Sequence, residues 1–307
     1  MMQTAAIRVA VPGSGQDREP RLAAGSPARV GALLARLWRT DPQLTGTGLF
    51  LLVLLLPSIA GVWLDPRTVT GAPAWLKPAK FAASTGIYAL TIAWVFSYLP
   101  TWPRMRRVVG SITTWVMLLE VAIIDLQAWR GVPSHFNVGT FMDAALFSIM
   151  GIAIVAQTVA SVAVAVALWR QEFRERALGW ALRFGMTITV VGALVGGAMA
   201  TGPDARQLAE ARTTGRLMIA GAHTVGGPDG GPGLPATGWS TSHGDLRVPH
   251  FVGLHAVQAV PLLAVLLRRR RESEQVALTI AGAGAYAATF VALLVQALLG
   301  VPFLSMV

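Results

Sequence analysis

Long stretches without a charged residue constrain this chain more than any other feature of its sequence. Uncharged runs cover residues 42–64, 81–103, 144–169, 184–203, 248–267 and 275–307. A helix of about 20 apolar residues crosses the hydrocarbon core of a bilayer, so each run is long enough for one crossing. Charged residues make up only 13% of the chain, whereas soluble domains contain about 25%. The sequence therefore predicts an all-α membrane protein.

The apolar pattern predicts a bundle of about seven transmembrane helices. The predicted spans are residues 47–64, 80–99, 108–129, 140–168, 183–202, 250–267 and 276–299. The third and fourth spans contain carboxylates, so hydropathy alone marks them less clearly. All seven belong to a predicted membrane domain at residues 41–307, which includes a Gly/Pro-rich external loop at residues 201–249.

The segment before the first span, residues 1–40, is predicted to be a basic cytoplasmic tail. No apolar run precedes residue 49, so we expect the first span to be an uncleaved anchor rather than a signal peptide. Near the end of the tail, apolar residues repeat at helical spacing with arginines between them, at Val30, Leu33, Leu34, Leu37 and Trp38. This pattern predicts a short helix lying on the lipid surface. A disordered basic tail is an alternative that the composition supports equally.

The basic residues predict how the bundle is oriented, because Lys and Arg accumulate in short loops on the cytoplasmic side. The tail and residues 100–107, 169–183 and 268–275 hold 17 of the 25 basic residues, and the alternate segments hold 8. This split places the N-terminus inside and the C-terminus outside. Arg supplies 23 of the 25, and the arginines cluster between apolar runs instead of alternating with aromatic residues. We therefore expect the lipid bilayer, and no nucleic acid, as a partner.

The predicted external loop has two parts. Residues 204–222 have the pattern of a helix, and a Gly/Pro-rich stretch follows them. A flexible linker is one interpretation of that stretch. Because it contains Trp239, two histidines and no repeat, we favour an ordered loop that folds over the external face.

Polar residues of the predicted spans gather towards one end of the bundle. In the predicted topology they lie in the outer halves of the spans or next to them, at Glu120, Asp125, Gln127, His135, Asn137, Asp143, His250, His255 and Gln258. An ionisable residue inside a bilayer costs a few kcal/mol unless it is paired, so a bundle that gathers such residues is expected to use them. These nine residues are the candidate polar site, open to the outside. The sequence assigns no catalytic residue.

The residue types of this site suit a metal ion or a b-type haem. Neutral imidazoles and carboxylates suit Zn, Cu or non-haem Fe, and the candidate ligands are His135, His255 and Glu120. The chain has no Cys, which excludes thiolate ligands and iron–sulfur clusters. His250 and His255 are about 140° apart on a helix and are poor partners for one ion unless a helix starts between them. The alternatives are histidines that cap helices or contact lipid headgroups, and proton handling.

Two residues of the site stand out by depth. Glu120 lies near the middle of its predicted span, and no Lys or Arg lies at its depth in any span. Three states of Glu120 are therefore open: it is protonated, it is paired with His255, or it is bound to a cation. His255 lies about 7.5 Å deeper along its helix than His250. We therefore expect His255 to matter more than His250.

Three segments carry a resemblance to known sequences: GAPAWLKPAKF, GVPSHFNVGTFMDAALFSIMG and HTVGGPDGGPGLPATGWSTSHGDLRVPHFVGLHAVQAVPLL. They resemble those of an uncharacterised family of bacterial multi-pass integral membrane proteins. The resemblance covers about residues 70–265 and brings no activity with it. It implies a location in the bacterial cytoplasmic (inner) membrane.

Three functions are compatible with these features. The leading hypothesis is a metal or haem site, covered by residues 201–249, that supports redox or hydrolytic chemistry. A transporter or proton-coupled protein is the second, with Glu120, Asp125 and Asp143 carrying protons or cations. A non-catalytic subunit that binds a membrane protein partner, or a further copy of itself, is the third. The chain contains no G-x-S-x-G, Walker A, G-x-G-x-x-G or H-E-x-x-H sequence, so the common hydrolase, nucleotide and zincin classes have no motif support.

Overall fold

The computed structural model describes residues 27–304, and this part of the chain is mainly helical. Its ten α-helices are α1 (Pro27–Thr40), α2 (Pro42–Leu64), α3 (Leu76–Phe96), α4 (Pro103–Arg130), α5 (Phe141–Arg170), α6 (Arg176–Met199), α7 (Ala205–Thr214), α8 (Arg247–Leu254), α9 (Ala256–Leu266) and α10 (Glu272–Leu298). Two antiparallel pairs of two-residue strands complete it: β1 (Thr68–Val69) with β2 (Ala72–Pro73), and β3 (Thr224–Val225) with β4 (Gly244–Asp245).

The multi-pass architecture predicted from the apolar runs is confirmed. Helices α2, α3, α4, α5, α6 and α10 are each long and apolar enough to cross a membrane. Helices α8 and α9 pass the same test only together, with a bend of 47° between them, and such a pair is either a broken seventh span or a re-entrant loop. Each predicted span lies on one of these helices or on the bent pair.

The chain divides into two compact units, and the boundary between them falls within α1, after Arg36. The predicted tail up to residue 26 lies outside the described residues. Helix α1 includes the segment that the sequence predicts to be helical, and its Val30 and Leu33 are exposed. The location of α1 on a lipid surface stays a prediction.

Within the larger unit, α2 packs against α3, α4 packs against α5, and α6 packs against α8, α9 and α10. The contact of α6 with the bent pair depends on small residues. A Cβ at Gly192 would lie 2.6 Å from Cα of Gly253, and a Cβ at Gly185 would lie 2.9 Å from the carbonyl oxygen of Ala256. The glycines of α6 therefore permit close backbone approach, as the small-residue stripe of this span predicts.

The bend between α8 and α9 frees backbone groups that a continuous helix would pair. Thr189 of α6 binds two of them: its hydroxyl donates to the carbonyl oxygen of Leu254 at 3.3 Å and accepts from the amide of Val257 at 3.1 Å. The hydroxyl of Tyr286 on α10 donates to the carbonyl oxygen of Val252 at 2.6 Å. A break at membrane depth is tolerated when neighbouring side chains bind the freed groups.

The end of the bundle where α2, α4, α6 and α10 finish is covered by residues 200–246, which we call the covering loop. The predicted helix at 204–222 is shorter in the structure. It forms α7, which begins with a capping box of Asp204 and Gln207 and ends at Gly215, whose φ of 73° is left-handed. Past Gly215 the chain pairs with residues 136–138 instead, through hydrogen bonds such as that from the Val138 amide to the Met218 carbonyl oxygen. The favoured interpretation of an ordered, folded-over loop agrees with this arrangement.

Candidate functional site

The centre of the candidate site is a contact between Lys77 and His135. Lys77 lies in the first turn of α3, and His135 lies in the loop between α4 and α5, with Nζ of Lys77 3.1 Å from Nδ1 of His135. The hydroxyl of Ser134 is also 3.1 Å from Nδ1. An ammonium can only donate. When Lys77 is protonated, Nδ1 of His135 therefore accepts its hydrogen bond and the ring proton lies on Nε2.

The residue after His135 holds this loop in an uncommon conformation. Phe136 has a φ of 62°, in the left-handed region that residues with a side chain seldom adopt. Its carbonyl oxygen accepts a hydrogen bond from the amide of Ala220 at 2.8 Å, and its ring is buried. The ring centroid lies 6.1 Å from that of His135 and 4.9 Å from that of His223. The covering loop and the Phe136 ring together fix where His135 lies.

A second imidazole enters the site from the covering loop, and a carboxylate orients it. Nδ1 of His223 lies 2.6 Å from Oδ2 of Asp229, whose carboxylate also accepts the amides of His223 and Thr224 at 2.9–3.0 Å. The hydroxyl of Thr224 donates to the same carboxylate at 2.8 Å. Because Nδ1–H donates to Asp229, Nε2 of His223 is left without the ring proton when the imidazole is neutral.

Burial and the surrounding charges set the protonation of these loop residues. Burial lowers the pKa of His135 well below its usual 6.5, and the positive charges of Lys77, His223 and His250 lower it further. Burial also lowers the pKa of His223, and the hydrogen bond that His223 donates to Asp229 opposes this change. Burial raises the pKa of Asp229, but hydrogen bonds from His223 and Thr224 outweigh this and hold it below its usual range. At neutral pH both imidazoles are therefore neutral and Asp229 is ionised.

A third imidazole comes from α8. His250 donates from Nδ1 to the carbonyl oxygen of Gly192 at 2.8 Å, and it lies within electrostatic range of His135 and His223. We call Lys77, His135, His223, Asp229 and His250 the imidazole cluster.

Glu120 lies beneath this cluster in the middle of α4. Its side chain is only 1% exposed, and neither carboxyl oxygen has a hydrogen-bond partner among the described residues. Lys77 lies within electrostatic range of Glu120. The sequence predicts no basic residue at the depth of Glu120. Lys77 comes within range nevertheless, because its long side chain places the ammonium group away from its own Cα.

Two of the predicted site residues, Gln127 and Asp143, form a structural network instead. Asp143 accepts hydrogen bonds from Gln127 at 2.8 Å, from Arg130 at 2.6 Å and from Thr140 at 2.6 Å. Asn137 makes only local hydrogen bonds, to Pro133 and Gly139. The Asp143 network joins the end of α4 to the start of α5, and it positions the loop that bears His135.

The remaining predicted residues lie apart from the Lys77 contact. The ring of His255 lies at the bend, 4.3 Å from that of Phe251, and within electrostatic range of His250. Gln258 donates to the hydroxyl of Thr91 at 3.3 Å. Asp125 has one buried oxygen with no partner in the described part of the chain. The structure thus places His250, and not His255, beside His135.

No three His, Asp or Glu side chains within residues 27–304 are gathered so that they could hold a metal ion. The candidate ligands His135, His255 and Glu120 therefore do not form a preassembled metal centre, and binding to them stays a prediction. Sequence reasoning left Lys77, His223 and Asp229 out of the candidate site. One signal for Lys77 was available, since Lys77 and Lys80 are the two lysines of the chain and both begin the second span.

The fold and this cluster define a multi-pass helical membrane protein with a partly buried polar site at one end. No protein-family model, curated protein or solved structure matches the chain.

Proposed function

We propose that the chain is a multi-pass protein of a bacterial cytoplasmic membrane in which Glu120, Lys77 and His135 carry protons between the bundle interior and a site open to the outside. The main support for this proposal is the 3.1 Å contact between Nζ of Lys77 and Nδ1 of His135. Lys77 also lies in electrostatic range of Glu120. Titratable groups in series, buried within a membrane bundle, are typical of proton relays.

The chemistry of the three groups supports a stepwise transfer. Protonated Lys77 gives its proton to Nδ1 of His135, the imidazole releases the proton on Nε2, and Glu120 restores the proton to the amine of Lys77. A carboxyl without hydrogen-bond partners is costly to ionise unless a cation is near, so the charge of Lys77 decides whether Glu120 keeps its proton. The unprotonated Nε2 of His223 is a base suited to receive the proton that His135 releases.

Two features support the proposed orientation of the bundle and its proposed location in the bacterial cytoplasmic membrane. The basic residues lie mainly in the short loops at the end opposite the covering loop, which favours a cytoplasmic position for that end and an external one for the imidazole cluster. The resemblance of three segments to bacterial multi-pass proteins favours the bacterial cytoplasmic membrane.

Infrared difference spectroscopy of the purified protein between acidic and alkaline pH tests the relay, because it detects the carboxylic acid C=O stretch directly. The wild type should show a band of the buried Glu120 carboxylic acid that is lost at alkaline pH. Glu120→Gln should remove this band, because the amide has the same shape and no titrating proton. Lys77→Met should keep the band over a wider pH range, because Glu120 then ionises without a cation beside it.

Matched controls make the result specific. Asp125→Asn removes another partly buried carboxyl of α4, and Lys80→Met removes the exposed neighbouring lysine, whose Nζ donates to the carbonyl oxygen of Thr237. Neither control should affect the Glu120 band. If Glu120→Gln leaves the wild-type difference spectrum intact, or if both lysine variants behave alike, the proposed relay is wrong.

A metal or haem site is the second candidate, and the arrangement of two imidazoles favours it. Nδ1 of His223 donates to Asp229 and Nδ1 of His250 donates to the carbonyl oxygen of Gly192, so Nε2 of each is left to bind an ion. Groups that bind one ring nitrogen orient the other towards an ion. Binding would have to draw these imidazoles closer together. Metal analysis and an absorption spectrum of the purified protein test this function: near-stoichiometric metal or a Soret band, depleted by His223→Ala, supports it, and a colourless, metal-free sample rejects it.

A further inference from the structure

A groove opens at the end of the bundle opposite the imidazole cluster. It has a volume of about 450 Å³ and lies between the start of α6, the end of α9 and the start of α10. Its polar lining residues are Arg174, Glu175, Arg176, Arg268, Glu272 and Gln275, and Ala177, Leu178 and Ala264 form its apolar floor. We call it the arginine groove. The combination of charged rim and apolar floor matches a molecule that is charged at one end and apolar at the other.

Among the residues that the structure describes, two of the three groove arginines have no protein partner. Arg268 pairs with Glu175 at 3.3 Å, and both side chains are at least half exposed. Within residues 27–304, Arg174 and Arg176 form neither an ion pair nor a side-chain hydrogen bond. Arg269, Arg270 and Arg271 follow directly and add three more positive charges beside the groove. The groove therefore holds cationic donors that remain free to bind an anion.

The backbone adds to this positive potential. Helices α6 and α10 both begin at the groove, and neither has a side-chain hydrogen bond that caps its first turn. The amide groups of an uncapped first turn are free donors, and the positive end of the helix dipole favours a negative charge there. The two helix ends therefore add to the positive potential of the groove, while the cavity and its unpaired arginines form the binding site.

We infer that the arginine groove binds a phosphate group, and that the source is the headgroup of an anionic phospholipid. Arg binds phosphate oxygens with two parallel N–H donors. Basic pockets between transmembrane helices at the cytoplasmic surface bind anionic lipid headgroups. The groove lies at the ends of spans, where headgroups lie, and its apolar floor at Leu178 and Ala264 can contact an acyl chain.

Native mass spectrometry of the full-length, delipidated protein tests this inference with phosphatidylglycerol, phosphatidylcholine and inorganic phosphate as separate probes. The wild type should bind phosphatidylglycerol in preference to phosphatidylcholine. Because one Arg near an anionic surface contributes about 1 kcal/mol, the triple variant Arg174→Gln, Arg176→Gln, Arg268→Gln should bind phosphatidylglycerol at least about tenfold more weakly.

The control carries the same loss of charge at the other end of the molecule: Arg206→Gln, Arg212→Gln, Arg216→Gln, all within or next to α7. It should bind phosphatidylglycerol as the wild type does. Inorganic phosphate that binds the wild type and not the groove variant, together with no binding of phosphatidylglycerol to either, would keep the phosphate site and overturn the lipid source. Equal loss in both triple variants, or no preference over phosphatidylcholine, would overturn the site itself. The single variant Arg176→Gln, with a smaller loss expected, gives the same test should the triple variant fail to fold.

Discussion

Asp229 and His223 form a carboxylate–imidazole pair within a segment that is rich in Gly and Pro. Oδ2 of Asp229 lies 2.6 Å from Nδ1 of His223, and the same carboxylate accepts two backbone amides. The pair thus orients an imidazole of the site and closes the turn of the covering loop with a single side chain.

The first prediction concerns the stability of this loop. Asp229→Asn replaces an ionised acceptor with a neutral amide, and hydrogen bonds to charged groups are each worth about 1.5–3 kcal/mol. Because Asp229 is 26% exposed, we expect a loss near the lower limit, about 1.5 kcal/mol. Chemical denaturation in detergent measures it. Glu210→Gln, which alters an exposed carboxylate of the same segment, should cost nothing measurable. Equal stability of Asp229→Asn and wild type would contradict this role of the carboxylate.

The second prediction concerns the contact between α6 and the bent pair. In Gly192→Ala the new Cβ would lie 2.6 Å from Cα of Gly253, so the helices must move apart at a cost of about 1–3 kcal/mol. Gly197→Ala is the matched control on the same helix, because a Cβ there meets nothing within 4 Å. It should be neutral or stabilising by up to about 1 kcal/mol. The unfolding midpoints of the two variants measure this difference in stability. If Gly192→Ala is as stable as the wild type, the two helices are not in close contact.

The third prediction separates two carboxylates that the sequence groups in one site. Asp143→Ala removes the acceptor of Arg130, Gln127 and Thr140 and leaves the Arg130 charge unpaired. Breaking a buried ion pair from one side costs about 3 kcal/mol. Asp125→Ala should cost less than about 0.5 kcal/mol, because one of its oxygens is buried without a partner and the group is not part of an ion pair. Similar losses of stability in the thermal unfolding of both variants would contradict the different roles of Asp143 and Asp125.

The fourth prediction is a dependence of stability on pH. The pKa values of His135 and His223 are lowered in the folded protein from the usual 6.5. The unfolded chain therefore binds more protons near and below pH 6.5, so the stability is complete above this pH and is lost as the pH falls. Thermal unfolding between pH 8 and pH 5 should show this loss. The double variant His135→Asn, His223→Asn should flatten the profile, and an unchanged slope would refute the assignment.

The fifth prediction concerns topology. Reporter fusions after Arg107, Arg176 and Arg271 should report the cytoplasm, because these positions follow the basic clusters. Fusions after Gly131, after Gly230 and at Val307 should report the outside. A cytoplasmic signal at Gly230 would reverse the bundle and place the imidazole cluster on the inner face. An inside signal at Val307 alone would remove the seventh span.

The spans were predictable because a membrane helix depends on local apolar length, which the sequence displays directly. The bend between Leu254 and Ala256 was not, since its freed backbone groups are bound by Thr189, which lies 65 residues before Leu254 in the sequence. The site was predictable in part. His135, His250 and Glu120 were found by depth and residue type, whereas the contact between Lys77 and His135 joins residues 58 apart.

Asp229 illustrates a different limit of prediction from sequence. It lies in a Gly/Pro-rich segment whose composition is typical of a flexible linker, and only the folded turn shows that its carboxylate binds four donor groups. Gln127 and Asp143 were assigned to the site because carboxylates and amides in membrane helices suggest function. Their partner Arg130 lies at the end of the same helix as Gln127, and together they stabilise the helix ends.

The bend between α8 and α9 restricts how this sequence can vary. Backbone groups at Leu254 and Val257 depend on the hydroxyl of Thr189, and the one at Val252 depends on the hydroxyl of Tyr286. Ser can replace Thr189 because it keeps a donor and an acceptor at the same place, whereas Val, of equal size, leaves both backbone groups without a partner. Two positions on other helices are thus restricted in residue type by a bend to which neither belongs. In a homologous chain with Val at position 189 and Phe at position 286, we expect a continuous seventh helix, with His250 turned away from His135.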